Sequence, residues 1–442
     1  MLNKKEFCDF SKTEKKKYRE YIPIISKRLN KIHELNKKDE YWEKVLGFSF
    51  LIHIAQSIFV YNKKKDIAIR KKKRTHEIKT PLNEQEYREF YLNSNVGKSY
   101  LEIQLANVPL DIKLSTRADQ IKGYRFNKKK TLSQMFYEII IRIFKKLIKP
   151  KILINQAWWS LSSRQKIQFQ SFFKIHFEFI SFDNIKINSI DNMMRNTISS
   201  VDNMNDGFDK FFFQSLKFSL PVSVLEGFKF RQNQAKNFLK KNKKLKYIFN
   251  ESLSENANLL SAVGNERGIL NYYIEHNYLQ HQFLGNNIWY VKTKFDYFLS
   301  MGWKDSQDPN HIPTSSNYEW IIKPAKEKTI DILYISALAQ KGFPHFSSGY
   351  GEGGDRNAKS YIKMKEDFFH NLDQKIIESI YYRDYPEQKR KTEHAINRKF
   401  NRYLKSTGVF YDDSEQNRSQ ELLSKSKFVI CDYLSTPYNS VL

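Results

Sequence analysis

The chain has 442 residues, 40% of them hydrophobic and 15% aromatic, enough for two or three domains with a sizeable core, and this excludes an intrinsically disordered protein. Its 75 Lys and Arg against 48 Asp and Glu give a formal net charge of +27, which points to a polyanionic partner (nucleic acid, a phosphorylated sugar donor or an anionic membrane surface) or to a plain compositional bias towards Lys, Asn and Ile. Two cysteines, Cys8 and Cys431, are too few and too distant for a disulfide framework or a thiolate zinc site, and they fit a reducing cytosol.

The N-terminus has no apolar core of the length a signal peptide needs. Residues 11–36 read as helix, with a break or fresh start at Pro23 and with Ile22, Ile25 and Leu29 on one stripe. Residues 40–61 form a more apolar helix. Its run from Val45 to Tyr61 is interrupted by His53, Gln56 and Ser57 and is too short to span a bilayer comfortably. The basic runs Lys63–Lys65 and Arg70–Arg74 follow it and would suit a peripheral membrane contact. Helix is expected over 84–106, starting near Asn83 as a cap, and an amphipathic helix over 131–149, ended by Pro150. Short apolar runs at 151–159, 177–183 and Tyr247–Phe249 read as buried strands, with helix over 207–240 (broken near Pro221) and over 254–271. The stretch 304–328, with three prolines, is the expected linker. Beyond it the pattern restarts: a strand at Asp331–Ser336, helix over 358–372, helix into strand over 375–383, a basic helix over 387–405 and a strand over 427–434. Helices alternating with short apolar strands predict an α/β layered fold.

Four places concentrate chemistry. Glu275, His276 and His281, set among Asn277, Gln280, Gln282 and Asn286 and followed by Gly285, could supply a general base. His276 and His281 could also ligate a metal from one helix, but no third ligand stands nearby, so no metal is expected. The Gly-rich loop 347–354 allows backbone to approach a phosphate or sugar, although it matches neither the dinucleotide nor the Walker pattern. Arg383, in Tyr-Tyr-Arg-Asp-Tyr-Pro, would end a strand and could clamp a diphosphate, or simply pair with Asp384. Last, the strand reaching Asp432 is followed by Ser435, Thr436 and Pro437, a strong helix start whose free N–H groups would face an anion.

These residues resemble the transferases encoded in bacterial lipopolysaccharide O-antigen and capsule loci. Similar segments are Asn36–Gly47, Glu275-His276-Asn277 with His281-Gln282 and Gly285-Asn286, Phe298-Leu299 with Gly302-Trp303, and Ile312-Pro313. Arg383 with Tyr385-Pro386, and Ser426–Val441, complete the resemblance. A looser form of that last element is found in CDP-glycerol glycerophosphotransferases and other GT-B glycosyltransferases, where it lies on the donor diphosphate. The resemblance implies an α/β, GT-B-like pair of Rossmann-like domains. A helical basic segment (1–80) would pack on an acceptor domain (81–303), and the linker (304–328) would lead to a donor domain (329–442), expected to be truncated with some three strands. Arg383, Ser435 and Thr436 would meet the donor diphosphate. Asn277, Gln282, Asn286, Asp432 and Tyr385 would contact substrate, and His281, His276 or Glu275 would deprotonate the acceptor. Such an enzyme would use a nucleotide-linked donor as substrate, with no cofactor, and a saccharide or lipid-linked acceptor. It would sit in the cytoplasm or on the inner face of the membrane. The alternatives are a basic nucleic-acid-binding protein, for which no binding motif is present, and an inactive remnant of the transferase.

Overall fold

The N-terminal segment opens with α1 (Lys4–His33), which runs unbroken through Pro23 in the computed structural model. The break expected there is absent. Tyr18, Tyr21, Ile22, Ile25 and Leu29 are buried on both sides of the proline, so packing holds the axis across one missing backbone hydrogen bond. The structure describes residues 4–62, 76–88, 96–106, 110–114, 140, 143–144, 147–155, 161–182, 187, 189–202, 204–251, 254–275, 288–314, 325–336, 355–384, 395–414 and 419–432.

A second helix, α2 (Asp39–Asn62), is apolar all round and buried accordingly. It bends by 80° at Gly47, whose φ of 62° and ψ of −170° belong to a region open almost only to glycine. Among the described residues no single helix is long and apolar enough to cross a membrane. The two halves of α2 reach that length and composition only together. Next come β1 (His76–Thr80), α3 (Glu84–Arg88), α4 (Val96–Leu105) and β2 (Leu110–Leu114), with β1 and β2 paired in parallel. Of the stretch 84–106 expected to be helical, residues 84–88 and 96–105 are helix, and residues 89–95 lie outside the described residues. Its cap is as expected: Asn83 Oδ1 accepts from Glu86 N at 3.0 Å. The basic run 63–75 and most of the 131–149 stretch lie outside the described residues.

The first large sheet is drawn from β3 (Ile152–Asn155), α5 (Leu161–Gln170), β4 (Ile175–Glu178), α6 (Asn192–Ile198), α7 (Gly207–Ser219), α8 (Phe228–Lys241), β5 (Tyr247–Asn250), α9 (Glu255–Asn265), β6 (Leu270–Ile274), α10 (Ile288–Lys294), β7 (Tyr297–Met301) and β8 (His311–Thr314). Its order is β4-β3-β5-β6-β7-β8 and every pair is parallel. The helix expected to reach 271 stops at Asn265. Gly268, at φ 70°, turns the chain, and from Leu270 the aromatic run Asn-Tyr-Tyr-Ile pairs as a strand instead. The sixth strand, β8, falls inside the stretch expected to be a linker. One buried cluster joins Tyr21 and Leu29 of α1, Trp42 and Phe50 of α2, Phe212 and Phe213 of α7, and Leu153 and Ile248 of the sheet. Tyr21 stacks on Phe212 at 4.5 Å and meets Phe213 edge-on at 5.0 Å. Caps fix the helix starts: Asp206 for α7 and Ser254 for α9 accept from Phe208 N and Ala257 N. Arg195 of α6, buried, holds Glu226 through Nε at 2.8 Å and Nη2 at 2.7 Å.

The second sheet follows from β9 (Ile330–Ile335), α11 (Asp355–His370), α12 (Gln374–Glu378), β10 (Ile380–Arg383), α13 (Ala395–Lys405), β11 (Phe410–Asp412), α14 (Ser419–Lys425) and β12 (Ser426–Cys431). Its order is β11-β10-β9-β12, again all parallel. It has four strands among the described residues where the sequence predicts three; β11, of three residues, is too short to stand out in the sequence.

Gly47 gives a direct test of the α2 bend. A Cβ there would lie 3.4 Å from Asn258 Nδ2 and 3.6 Å from Glu84 Oε2, in a backbone conformation that side chains resist. Gly47→Ala is expected to cost about 1–3 kcal/mol, read as a lower midpoint in urea or thermal unfolding.

Candidate functional site

In an open parallel sheet, ligands meet the C-terminal strand ends at the point where the strand order reverses. In the first sheet that point lies between β3 and β5. Asn155 and Asn250 end those strands side by side, both fully buried, and Asn155 Nδ2 donates to Asn250 Oδ1 at 2.9 Å. Asn155 Oδ1 accepts from Ile180 N at 3.3 Å, and Asn256 Oδ1 accepts from Phe182 N at 3.2 Å and Arg231 Nη2 at 2.9 Å. Arg231 also pairs with Glu255, whose second oxygen accepts from Glu84 N at 2.9 Å. The sequence expectations missed these residues. The available signal was the repeated ending of an apolar run in asparagine, Ile-Leu-Ile-Asn and Tyr-Ile-Phe-Asn.

Glu275 lies just past β6 at the same edge and is fully buried. Its backbone N donates to Leu299 O at 2.9 Å, and Oε2 accepts from Met301 N and Trp303 Nε1, both at 2.9 Å. Burial pushes its carboxyl up to about 7, against the pull of those two donors. Glu275 therefore ties the end of β6 to the turn after β7 and holds a proton that exchanges near neutrality.

The second sheet reverses between β9 and β12. Asp412, Arg383, Ile335 and Cys431 stand in one register row across the four strands. One residue further, Asp384, Ser336 and Asp432 follow, their backbone N–H groups donating to Asp412 O, Arg383 O and Ile335 O. Lys365 of α11, wholly buried, reaches this second row. Its ammonium donates to Ser336 Oγ, lies 3.3 Å from Asp432 Oδ2 and donates to Tyr382 Oη at 3.4 Å. Burial pulls the Lys365 ammonium below the usual lysine range, and the Asp432 and Asp384 charges oppose that pull. The Tyr334 and Tyr361 hydroxyls also bond Asp432, and burial raises both phenols. Beneath the network Tyr411, Tyr382 and Tyr334 stack in a row across three strands, at 5.6 and 5.1 Å.

Arg383 does end its strand, but its guanidinium is buried and pairs with Asp412 Oδ1 at 3.1 Å, not with the neighbouring Asp384. Asp384 instead accepts from Asn401 Nδ2 at 2.7 Å and from Tyr411 Oη. The structure thus brings Arg383 and Asp432 to one edge of one sheet. Of the other expected site residues, His276, Asn277, His281, Gln282, Asn286, Tyr385, Ser435 and Thr436 lie outside the described residues, as does the loop 347–354. Among the described residues no group of three or more His, Cys, Asp or Glu stands together as a metal site would need.

Parallel sheets crossed by helices, with reversals that leave polar residues at the strand ends, define an α/β protein with its candidate crevices along those edges. The chain matches the family model described as LIC12162 family transferase over residues 3–442, and it belongs to that family; it is a transferase by family. No curated protein and no solved structure matches it.

The Glu275 carboxyl predicts a pH signature. Its pKa is raised on folding from about 4.5 to about 7, so full stability is present below about 4.5 and is lost as pH rises to about 7, because the unfolded chain ionises over that window while the folded carboxyl keeps its proton. Glu275→Gln keeps an acceptor for Met301 N and carries no charge. The difference in unfolding free energy, variant minus parent, is expected to grow between pH 4.5 and 7 by at most about 3 kcal/mol and then level off. A pH series of chemical denaturation curves measures it, and a difference constant across that range would refute it.

Proposed function

We propose that this transferase moves a glycosyl or glycerophosphoryl group from a nucleotide-linked donor to a hydroxyl acceptor in surface-polysaccharide synthesis, using two GT-B-like lobes. The observation that carries the reading is the reversal of strand order between β9 and β12, underlain by the buried Lys365. A donor diphosphate approaching this crevice would otherwise meet the Asp432 carboxylate. Lys365 offsets that charge from below and fixes both strand ends, so its role is positioning. Thr436 and Ser435, just beyond Asp432 in sequence, would offer their helix-start N–H groups to the phosphates. Arg383, one residue back from the Asp432 row, supplies positive charge at the same edge while anchored by Asp412. On the first sheet, Glu275 holds the strand end from which residues 276–287 depart, and His276 or His281 would take the acceptor proton. Asn277, Gln282 and Asn286 would hold the acceptor's hydroxyls, and Tyr385 would flank the donor. The chemistry asks for no redox cofactor.

Thermal-shift screening with CMP-, CDP-, UDP- and GDP-linked donors tests this. One nucleotide class is expected to stabilise the protein by about 2.7 kcal/mol at roughly a hundred times its Kd. His276→Ala and His281→Ala should leave that stabilisation intact, and the variant that removes the base should lower transfer by about 10²–10⁴-fold. No shift with any donor, together with steeply salt-dependent binding of RNA or DNA, would replace the transferase reading of these crevices with nucleic-acid binding.

A further inference from the structure

The opposite edge of the first sheet, where its strands begin, carries a different kind of surface. Lys151 N and Ile152 N both donate to Lys174 O, at 2.9 and 3.1 Å, and Lys246 N donates to Lys151 O at 2.8 Å. The residues leading into β4, β3 and β5 therefore form one continuous rim. The described residues of segments 143–151, 161–174 and 236–246 include eleven Lys or Arg and no Asp or Glu. Lys149, Lys151 and Lys174 on one side and Lys241, Lys243 and Lys244 on the other are exposed.

An apolar wedge stands in this rim. Phe173 is buried, stacks on Phe144 at 4.2 Å and meets Phe169 edge-on at 5.1 Å. Around it, Leu147 and Phe172 are each 73% exposed, Ile143 52% and Phe169 49%. Phe172 and Phe173 both adopt positive φ, 48° and 57°, a conformation costly for bulky side chains. Burial repays the strain at Phe173. The pair also closes the end of α5, Phe172 N donating to Phe169 O at 3.0 Å and Phe173 N to Gln168 O at 2.8 Å, and this turn leaves the Phe172 ring in solvent.

We infer that this rim docks the protein on an anionic phospholipid surface. Leu147, Phe172, Phe169 and Ile143 enter the headgroup layer while the flanking lysines meet lipid phosphates. Charge complementarity selects this occupant. A second copy of the chain would bring one lysine rim against another, and a polynucleotide would use the charge but give no reason to expose Leu147 and Ile143. The surface is built from strand starts, on the edge away from Asn155, Asn250 and Glu275, and the inference stands independently of the donor and acceptor assignments.

Flotation of the full chain with vesicles tests it. Binding is expected to phosphatidylcholine vesicles containing about 30% phosphatidylglycerol and not to phosphatidylcholine alone, weakening as salt rises. Lys243→Glu with Lys244→Glu should weaken it about tenfold. Leu147→Ser with Phe172→Asn should weaken it by about as much with the melting temperature unchanged or raised, because Asn tolerates positive φ. Failure to float with the anionic vesicles at low salt, or equal binding by the Ser/Asn variant, would overturn the inference. So would a dimer that light scattering shows to be lost in that variant, or tighter binding to single-stranded RNA than to the vesicles at the same salt.

Discussion

Every strand pairing described is parallel, and a parallel pair obliges the chain to cross back over a face of the sheet before it can pair again. All strands of a sheet then end at one edge, and all begin at the other. The two edges of the first sheet accordingly differ in character. Its endings carry Asn155, Asn250 and Glu275, buried and hydrogen-bonded, while its beginnings carry lysines and exposed apolar side chains.

The endings of the two sheets are stabilised by different chemistry. At the first, neutral amides join β3 to β5 and the charged pair Arg231–Glu255 stands behind them. At the second, a lysine with no access to water is placed among carboxylates and phenols. A buried ion pair of that kind is a poor source of stability compared with apolar packing, because desolvation consumes most of the attraction. Its value here lies in geometry: Ser336 and Asp432 cannot shift without stranding the ammonium.

Much of this architecture is legible in the sequence, because apolar runs such as Ile-Leu-Ile and Asp-Ile-Leu-Tyr-Ile can be little else than buried strands between helices. What escapes is decided by contacts remote in sequence. Pro23 does not end its helix, because side chains from α7 pack along that face. The strand at Leu270–Ile274 looks like the tail of a helix until Gly268 turns the chain. The candidate site divides in the same way. Arg383 and Asp432 could be placed at strand ends from local pattern, but the partner of Arg383 lies 29 residues on, at Asp412. Lys365 is one lysine among many in the sequence. Only its wholly buried position beneath a switch point sets it apart.

The burial of α2 also bears on how the chain is made. Its apolar side chains rest on α7 and α9, and α9 begins at Glu255, far along the chain from the end of α2 at Asn62. At a translation rate of roughly 5–20 residues per second, the ribosome needs on the order of tens of seconds to deliver that partner. Until then α2 has α1, already made, and soon α3 and α4 to rest on, and the rest of its apolar surface is covered only when α7 and α9 arrive.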